Sequence, residues 1–188
     1  MKAIVFSRHP GLKVAQPPLF TLIPDSAVTP SGMPVFLPSF ESSWELAIGP
    51  AYRIGRLGKN ISPRFAGRYI DGMTLGAWAV PVELLHHLQG NGQPTGLLST
   101  FDGALTLGRW QQPRLDSPLA ISAGQTQAQW TPGDIALEDT LSAASRYITL
   151  KTGDVIIPML SAVRLPIAPD DIIEGSIGEE EAIRVKIK

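Results

Sequence analysis

The sequence predicts an α+β, β-rich fold of short strands and turns with a few short helices. Three observations carry that expectation. Pro and Gly supply 17 and 18 of the 188 residues, about a fifth, spread so evenly that long helices are interrupted. Apolar residues reach 44%, enough for a core. The apolar runs are short and β-branched, or alternate with charges as a half-exposed strand does.

Each element follows in order. Ala3 to Phe6 is a β-type run. Gln16 to Ser39 holds six prolines, at 17, 18, 24, 30, 34 and 38, and reads as extended chain with little regular ladder. Leu46 to Gly49 reads as the end of a strand that begins near Ser42. Pro63 to Ile70 suits a short helix, with Ser62 as N-cap and Pro63 in the first helical position. Val82 to Leu88 is a second helix, stopped by Gly90-Asn91-Gly92. Leu105 to Leu107, Leu119 to Ser122 and Gln125 to Trp130 read as strands. Asp139 to Ile148 is a third helix with Leu141, Ala144 and Ile148 on one face. Gly153-Asp154 turns the chain into the buried strand Val155 to Ile157, and Ile183 to Ile187 alternates apolar and basic residues.

Composition narrows the function classes. Sixteen Lys and Arg nearly cancel seventeen Asp and Glu, so no electrostatic case exists for nucleic acid or an anionic membrane as partner. Charged residues are 18%, below the roughly 25% of an average chain, which points to surface buried in an oligomer. Without cysteine there is no disulfide, thiolate metal site or Cys nucleophile. The start MKAIVF is shorter than the about 7–15 apolar residues of a secretory core. Val155 to Val163 falls short of the ~20 residues that span a bilayer. A cytoplasmic location is the expectation.

Motifs taken singly say little. His86 and His87 are adjacent, so on a helix they point about 100° apart and read as solvated surface. No G-x-S-x-G, phosphate loop or G-x-G-x-x-G is present. Glu179-Glu180-Glu181 reads as a solvated turn.

Taken as an ordered series, six segments resemble the fumarylacetoacetate hydrolase family. Phe20-Thr-Leu-Ile-Pro-Asp-Ser-Ala-Val28 resembles its F-x-x-K-P-D-S-A-L. Trp44-Glu-Leu-Ala-Ile-Gly49 and Gly58-Lys-Asn-Ile-Ser62 resemble its E-x-E-L-A-V-V-I-G strand and G-K-N-V-S turn. Tyr69-Ile-Asp-Gly-Met-Thr-Leu-Gly76 resembles Y-V-x-G-Y-T-x-x-N-D. Ser99-Thr-Phe-Asp-Gly103 resembles K-G-F-D-G, and Tyr147-Ile-Thr-Leu-Lys-Thr-Gly-Asp-Val-Ile156 resembles Y-x-T-L-K-P-G-D-x-I. Asp171 to Lys188 resembles the terminal G-D-x-x-E-G-x-I-G strand pair. The resemblance implies a mixed β-roll with a few short helices, one domain over 1–188 with 1–40 as a reduced N-terminal arm, and a homodimer.

It also implies an active centre from which this chain departs. The family holds Mg²⁺ or Mn²⁺ with three carboxylates, two from E-x-E and one from N-D, and such hard cations take oxygen ligands at about 2.0–2.2 Å. The first Glu position is Ser43, the second is Glu45, and the Asp position is Trp78. The Lys before F-D is Ser99, followed by Phe101 and Asp102. The Thr-Gly-Thr-Pro loop becomes Pro158-Met-Leu-Ser161, and R-N-Y survives only as Arg8. The lid's His–Glu pair has no counterpart. Glu41, roughly 13 Å from Glu45 along an extended strand, does not complete an ion site.

The expected outcome is a vestigial pocket of Arg8, Ser43, Glu45, Trp78, Ser99, Phe101, Asp102 and Ser161 with no catalytic residue, metal or cofactor. Trp78 and Phe101 would be its walls, and Trp78, Ser43 or Ser99 would hydrogen-bond Glu45. The protein would be a catalytically inactive homologue acting as a binding or interaction module, with a small organic acid as possible ligand. The alternative is an active hydrolase or decarboxylase on a β-diketo or oxo acid, with Arg8, Arg109 or Arg146 as candidate electrophile.

Overall fold

The computed structural model describes residues 1–6, 20–114, 116–123, 126–130, 137–158 and 163–188. Two sheets form the molecule. The first is mixed and has eight strands: β1 (Lys2–Phe6), β2 (Phe20–Pro24), β3 (Val28–Pro30), β5 (Trp44–Ile54), β6 (Ile70–Pro81), β7 (Leu105–Leu107), β10 (Val155–Ile157) and β11 (Val163–Ile167). Its order is β2-β1-β10-β5-β6-β7-β3, with β11 also paired to β5. The second, five-stranded sheet has the order β4 (Pro34–Val35), β13 (Glu180–Ile187), β12 (Ile172–Ile177), β8 (Leu119–Ala123), β9 (Thr126–Trp130). Among the described residues two α-helices, α1 (Val82–Gly90) and α2 (Leu137–Tyr147), and three short 3-10 turns complete the regular elements.

The antiparallel pair β5–β6 is the spine. Its register runs from Trp44↔Pro81 to Ile54↔Ile70, and nearly every side chain along it is buried. The other edge of β5 is shared: β11 pairs with Trp44 to Ile48, and β10 with Tyr52 and Arg53. Pro50 falls between those partners, where its missing N–H interrupts neither ladder. One core cluster joins both sheets through Leu75 of β6 and Ile183, Val185 and Ile187 of β13. A second lies under α2, where Leu141 and Ala144 pack on Ile4, Ile54 and Ile156, with Ile148 partly buried beside them.

Several elements differ from the sequence reading. The strand expected to end at Gly49 runs on to Ile54. Pro63 to Tyr69 is a 3-10 turn, and the Ser62 side chain makes no capping bond. Ile70–Pro81, the longest strand, was not expected as a strand, because burial on both faces erases the period-two pattern. The proline-rich segment does form ladders. Its strands β2, β3 and β4 each lie at a sheet edge, where a proline without an N–H is tolerated.

Candidate functional site

Strand register places the site residues. Directly opposed residues of neighbouring strands share a face, and so do residues two apart on one strand. Glu45 pairs with Val80 on one side and Pro166 on the other, while Ala47 pairs with Trp78 and Arg164. Glu45, Trp78 and Arg164 therefore project from one face of β5, β6 and β11. Ser43 continues that face just before β5 and holds the ladder through Val82 N–H to its carbonyl at 2.9 Å.

The side chains on this face have specific partners. Arg164 Nη1 donates to Glu45 Oε2 at 3.3 Å. The pair is reachable, with side chains 46% and 31% exposed. Trp78 Nε1 donates to the Leu98 carbonyl at 2.9 Å, which fixes the half-buried indole. The expected partners of Glu45 are thus corrected. Trp78 is committed to Leu98, and Ser99 Oγ donates to the Gly96 carbonyl at 3.1 Å. The cation beside Glu45 is Arg164, 119 residues away in sequence.

The remaining expected residues fall as follows. Phe101 is buried, with ring contacts to Phe40 and Trp44 at 5.7 and 5.6 Å. Asp102, Arg109 and Arg146 are exposed. Arg8 and Ser161 lie outside the described residues. Among the described residues, no three His, Asp or Glu side chains are grouped so as to hold an ion.

Glu41 has a separate role. Its Oε1 accepts the Ser42 and Ser43 N–H groups at 2.7 and 2.9 Å, and its Oε2 accepts Leu84 N–H at 3.0 Å in the first turn of α1. Partial burial pushes the carboxyl's pKa up, but the N–H groups of Ser43, Leu84, Ser42 and Glu83 together hold it below the ordinary value of 4.5. A folded-state pKa below the unfolded one means the stabilisation is complete above the unfolded value. It is lost as pH falls through the folded one. Glu41→Gln should therefore lower stability by about 1 kcal/mol at neutral pH. In urea melts the difference from the native chain should vanish in acid.

The fold matches that of several solved structures over nearly the whole chain. It is similar to fumarylpyruvate hydrolase from Pseudomonas aeruginosa, solved in complex with Mn²⁺ and pyruvate. The TM-score is 0.81 at 18% identity, covering 100% of this chain and 89% of that one. It is also similar to 5-carboxymethyl-2-hydroxymuconate delta-isomerase from Mycobacterium smegmatis, with TM-score 0.84, 19% identity, and coverage of 99% and 78%. In sequence it is 22% identical over 183 residues to the mitochondrial oxaloacetate tautomerase FAHD1 of Mus musculus, covering 93% of this chain and 83% of that protein. The profile of the fumarylacetoacetate (FAA) hydrolase C-terminal family matches residues 5–158, and the chain belongs to that family.

Proposed function

We propose that this chain is a family member that does not hold the family's divalent ion and acts as a binding or interaction module. The observation that carries this is the Glu45–Arg164 pair on the face where Trp78 also projects. A hard divalent cation takes about six oxygen ligands. The matched positions offer one carboxylate already engaged by a guanidinium, one hydroxyl, and an indole that donates a proton but has no lone pair to give. That donor set does not fit the ion.

The chain works as a single domain, since one core cluster spans both sheets and includes Ala3, Val5, Ile23, Ala27 and Val35 from the expected arm. It pairs as a homodimer, a reading supported by the exposed apolar side chains Met33, Phe36 and Phe40. Its ligand is a small organic acid, and neither nucleic acid nor membrane is a partner. Among the described residues no helix is long and apolar enough to cross a membrane. The cytoplasmic location belongs to this proposal, although the mouse relative is named as mitochondrial.

A second reading has one observation in its favour: Arg164 places a positive charge where an oxo group could be polarised, as an active hydrolase or decarboxylase of altered mechanism requires. Turnover decides between them. The purified chain, given oxaloacetate or an acylpyruvate with Mg²⁺ or Mn²⁺, is expected to show no conversion above the buffer rate. Conversion that disappears in Glu45→Ala would replace the first reading with the second.

A further inference from the structure

We propose that the exposed face formed by Arg56, Lys59, Arg64, Arg68 and Arg146 docks an acidic protein segment, a run of Asp and Glu broken by apolar side chains. The face begins where β5 ends, at the opposite end of that strand from Glu45, so it does not depend on whether the Glu45 face holds an ion. The sequence sets its charge. From Leu46 to Ile70, and again from Thr140 to Gly153, there is no Asp or Glu. The fold brings those two stretches together. Ala144 of α2 and Ala66 of the 3-10 turn Pro63–Tyr69 share one buried cluster. Lys59 Nζ donates to the Arg146 carbonyl at 3.2 Å. Arg64 and Arg68 lie over the Phe65 ring, their guanidinium carbons 4.4 and 4.9 Å from its centroid, and Arg56 lies over Tyr69 at 5.9 Å. All five cations are exposed. Among the described residues none of them pairs with a carboxylate, whereas Arg114, Arg184 and Lys188 each do. With a net charge of −1 over the whole chain, this face of +5 leaves −6 on the rest.

The backbone beneath the cations is held. Gly58 and Leu150 exchange N–H to carbonyl bonds at 2.9 Å, and Asn60 N–H donates to the Ser145 carbonyl at 3.0 Å. Ile61 N–H donates to the buried Ser145 Oγ at 2.8 Å. A partner therefore meets a surface that is already ordered, which reduces the cost of binding. Three features select that partner. Four of the five cations are arginines, whose planar fork matches a carboxylate in two parallel bonds. Leu57, between Arg56 and Lys59, is 68% exposed, an apolar contact that a leucine-like side chain would cover and a phosphodiester backbone would not. Phe65 and Tyr69 already face guanidiniums, which take ring surface that a base would stack on. The negative remainder of the molecule also opposes a long polyanion. A short segment can stay within the about 10 Å over which charge acts at roughly 0.1 M salt.

The test is fluorescence anisotropy of the full chain with a labelled peptide of repeated Glu-Glu-Leu units, at low and at high salt. Saturable binding that weakens with salt is expected, and the matching Gln-Gln-Leu peptide should not bind. Arg64→Gln combined with Arg68→Gln should weaken binding about tenfold, the scale of two exposed ion pairs. Arg56→Gln combined with Arg146→Gln leaves the Phe65 stack intact, should weaken binding similarly, and serves if the first variant does not fold. Arg109→Gln, an exposed arginine beside the second sheet, should change nothing. Absence of binding to the acidic peptide, equal binding of the uncharged one, or unchanged affinity in both double variants overturns the proposal. Labelled single-stranded DNA of mixed sequence bound more tightly than the acidic peptide would also overturn it, in favour of a nucleic-acid partner. None of these outcomes bears on turnover or on Mn²⁺ uptake, so the reading of the Glu45 face stands or falls separately.

Discussion

Gly108→Ala is expected to destabilise the protein by about 3 kcal/mol, a large share of the roughly 5–15 kcal/mol that holds a domain folded. Gly108 follows β7 at the point where the first sheet meets the second. A methyl group there would lie 2.2 Å from the Ala182 carbonyl oxygen and 2.5 Å from Thr74 Oγ1. Neither neighbour can retreat cheaply. Gly108 N–H donates to the Leu75 carbonyl at 2.9 Å, and Arg109 N–H donates to that same Ala182 carbonyl at 2.7 Å. Moving the glycine breaks a bond on each side, and Thr74 is fully buried. Urea melts should show a lower midpoint with an unchanged slope. A change within about 0.5 kcal/mol, the range of an ordinary surface substitution, would mean that the two sheets do not meet this closely.

Asp154→Ala is the second large effect, again about 3 kcal/mol. Its carboxylate, 4% exposed, binds Lys2 Nζ. It also accepts Lys2 N–H at 3.1 Å and Lys151 N–H at 2.8 Å. The side chain therefore fastens the start of β1 to the turn that launches β10, and those two strands pair in parallel from Ala3↔Val155 onward. Parallel partners have no hairpin to hold their register. Alanine leaves two N–H groups without their acceptor and the Lys2 ammonium with the Thr149 carbonyl, at 3.2 Å, but no counter-charge. Asp154→Asn keeps one acceptor oxygen and should lose less. Equal melting midpoints for the native chain and both variants would show that the carboxylate is not what joins these strands.

Much of the fold was legible because the local signals agree with the burial they produce. Ile183, Val185 and Ile187 are buried while Arg184 and Lys186 are exposed, as their alternation requires. Leu141 and Ala144 face the core as the helical period requires. The turn at Gly90-Asn91-Gly92 stops α1, and Gly92 takes the left-handed φ of 62° that a side chain would oppose. What stayed hidden has one cause: it depends on neighbours distant in sequence. β6 carries no alternation because both its faces are covered. β2 and β4 become strands only because β1 and β13 offer them an edge.

The site was legible to the same extent. Ser43, Glu45 and Trp78 are separated in sequence, and the β5–β6 register brings them onto one face. Arg164 was missed. The one available signal was a lone arginine inside the apolar run Val163-Arg-Leu-Pro-Ile167, and nothing local says which strand lies opposite. Phe101, expected with Trp78 as a pocket wall, is buried and makes ring contacts with Phe40 and Trp44.

A titration of the native chain with Mn²⁺, read as loss of the free-ion electron paramagnetic resonance signal, bears most directly on the ion-free site. The free-ion signal should rise from the first addition as it does in buffer alone. Ser43→Glu combined with Trp78→Asp, which restores the carboxylates on that face, should instead remove the ion from solution. One tightly held Mn²⁺ per native chain, released in Glu45→Ala, would contradict the account.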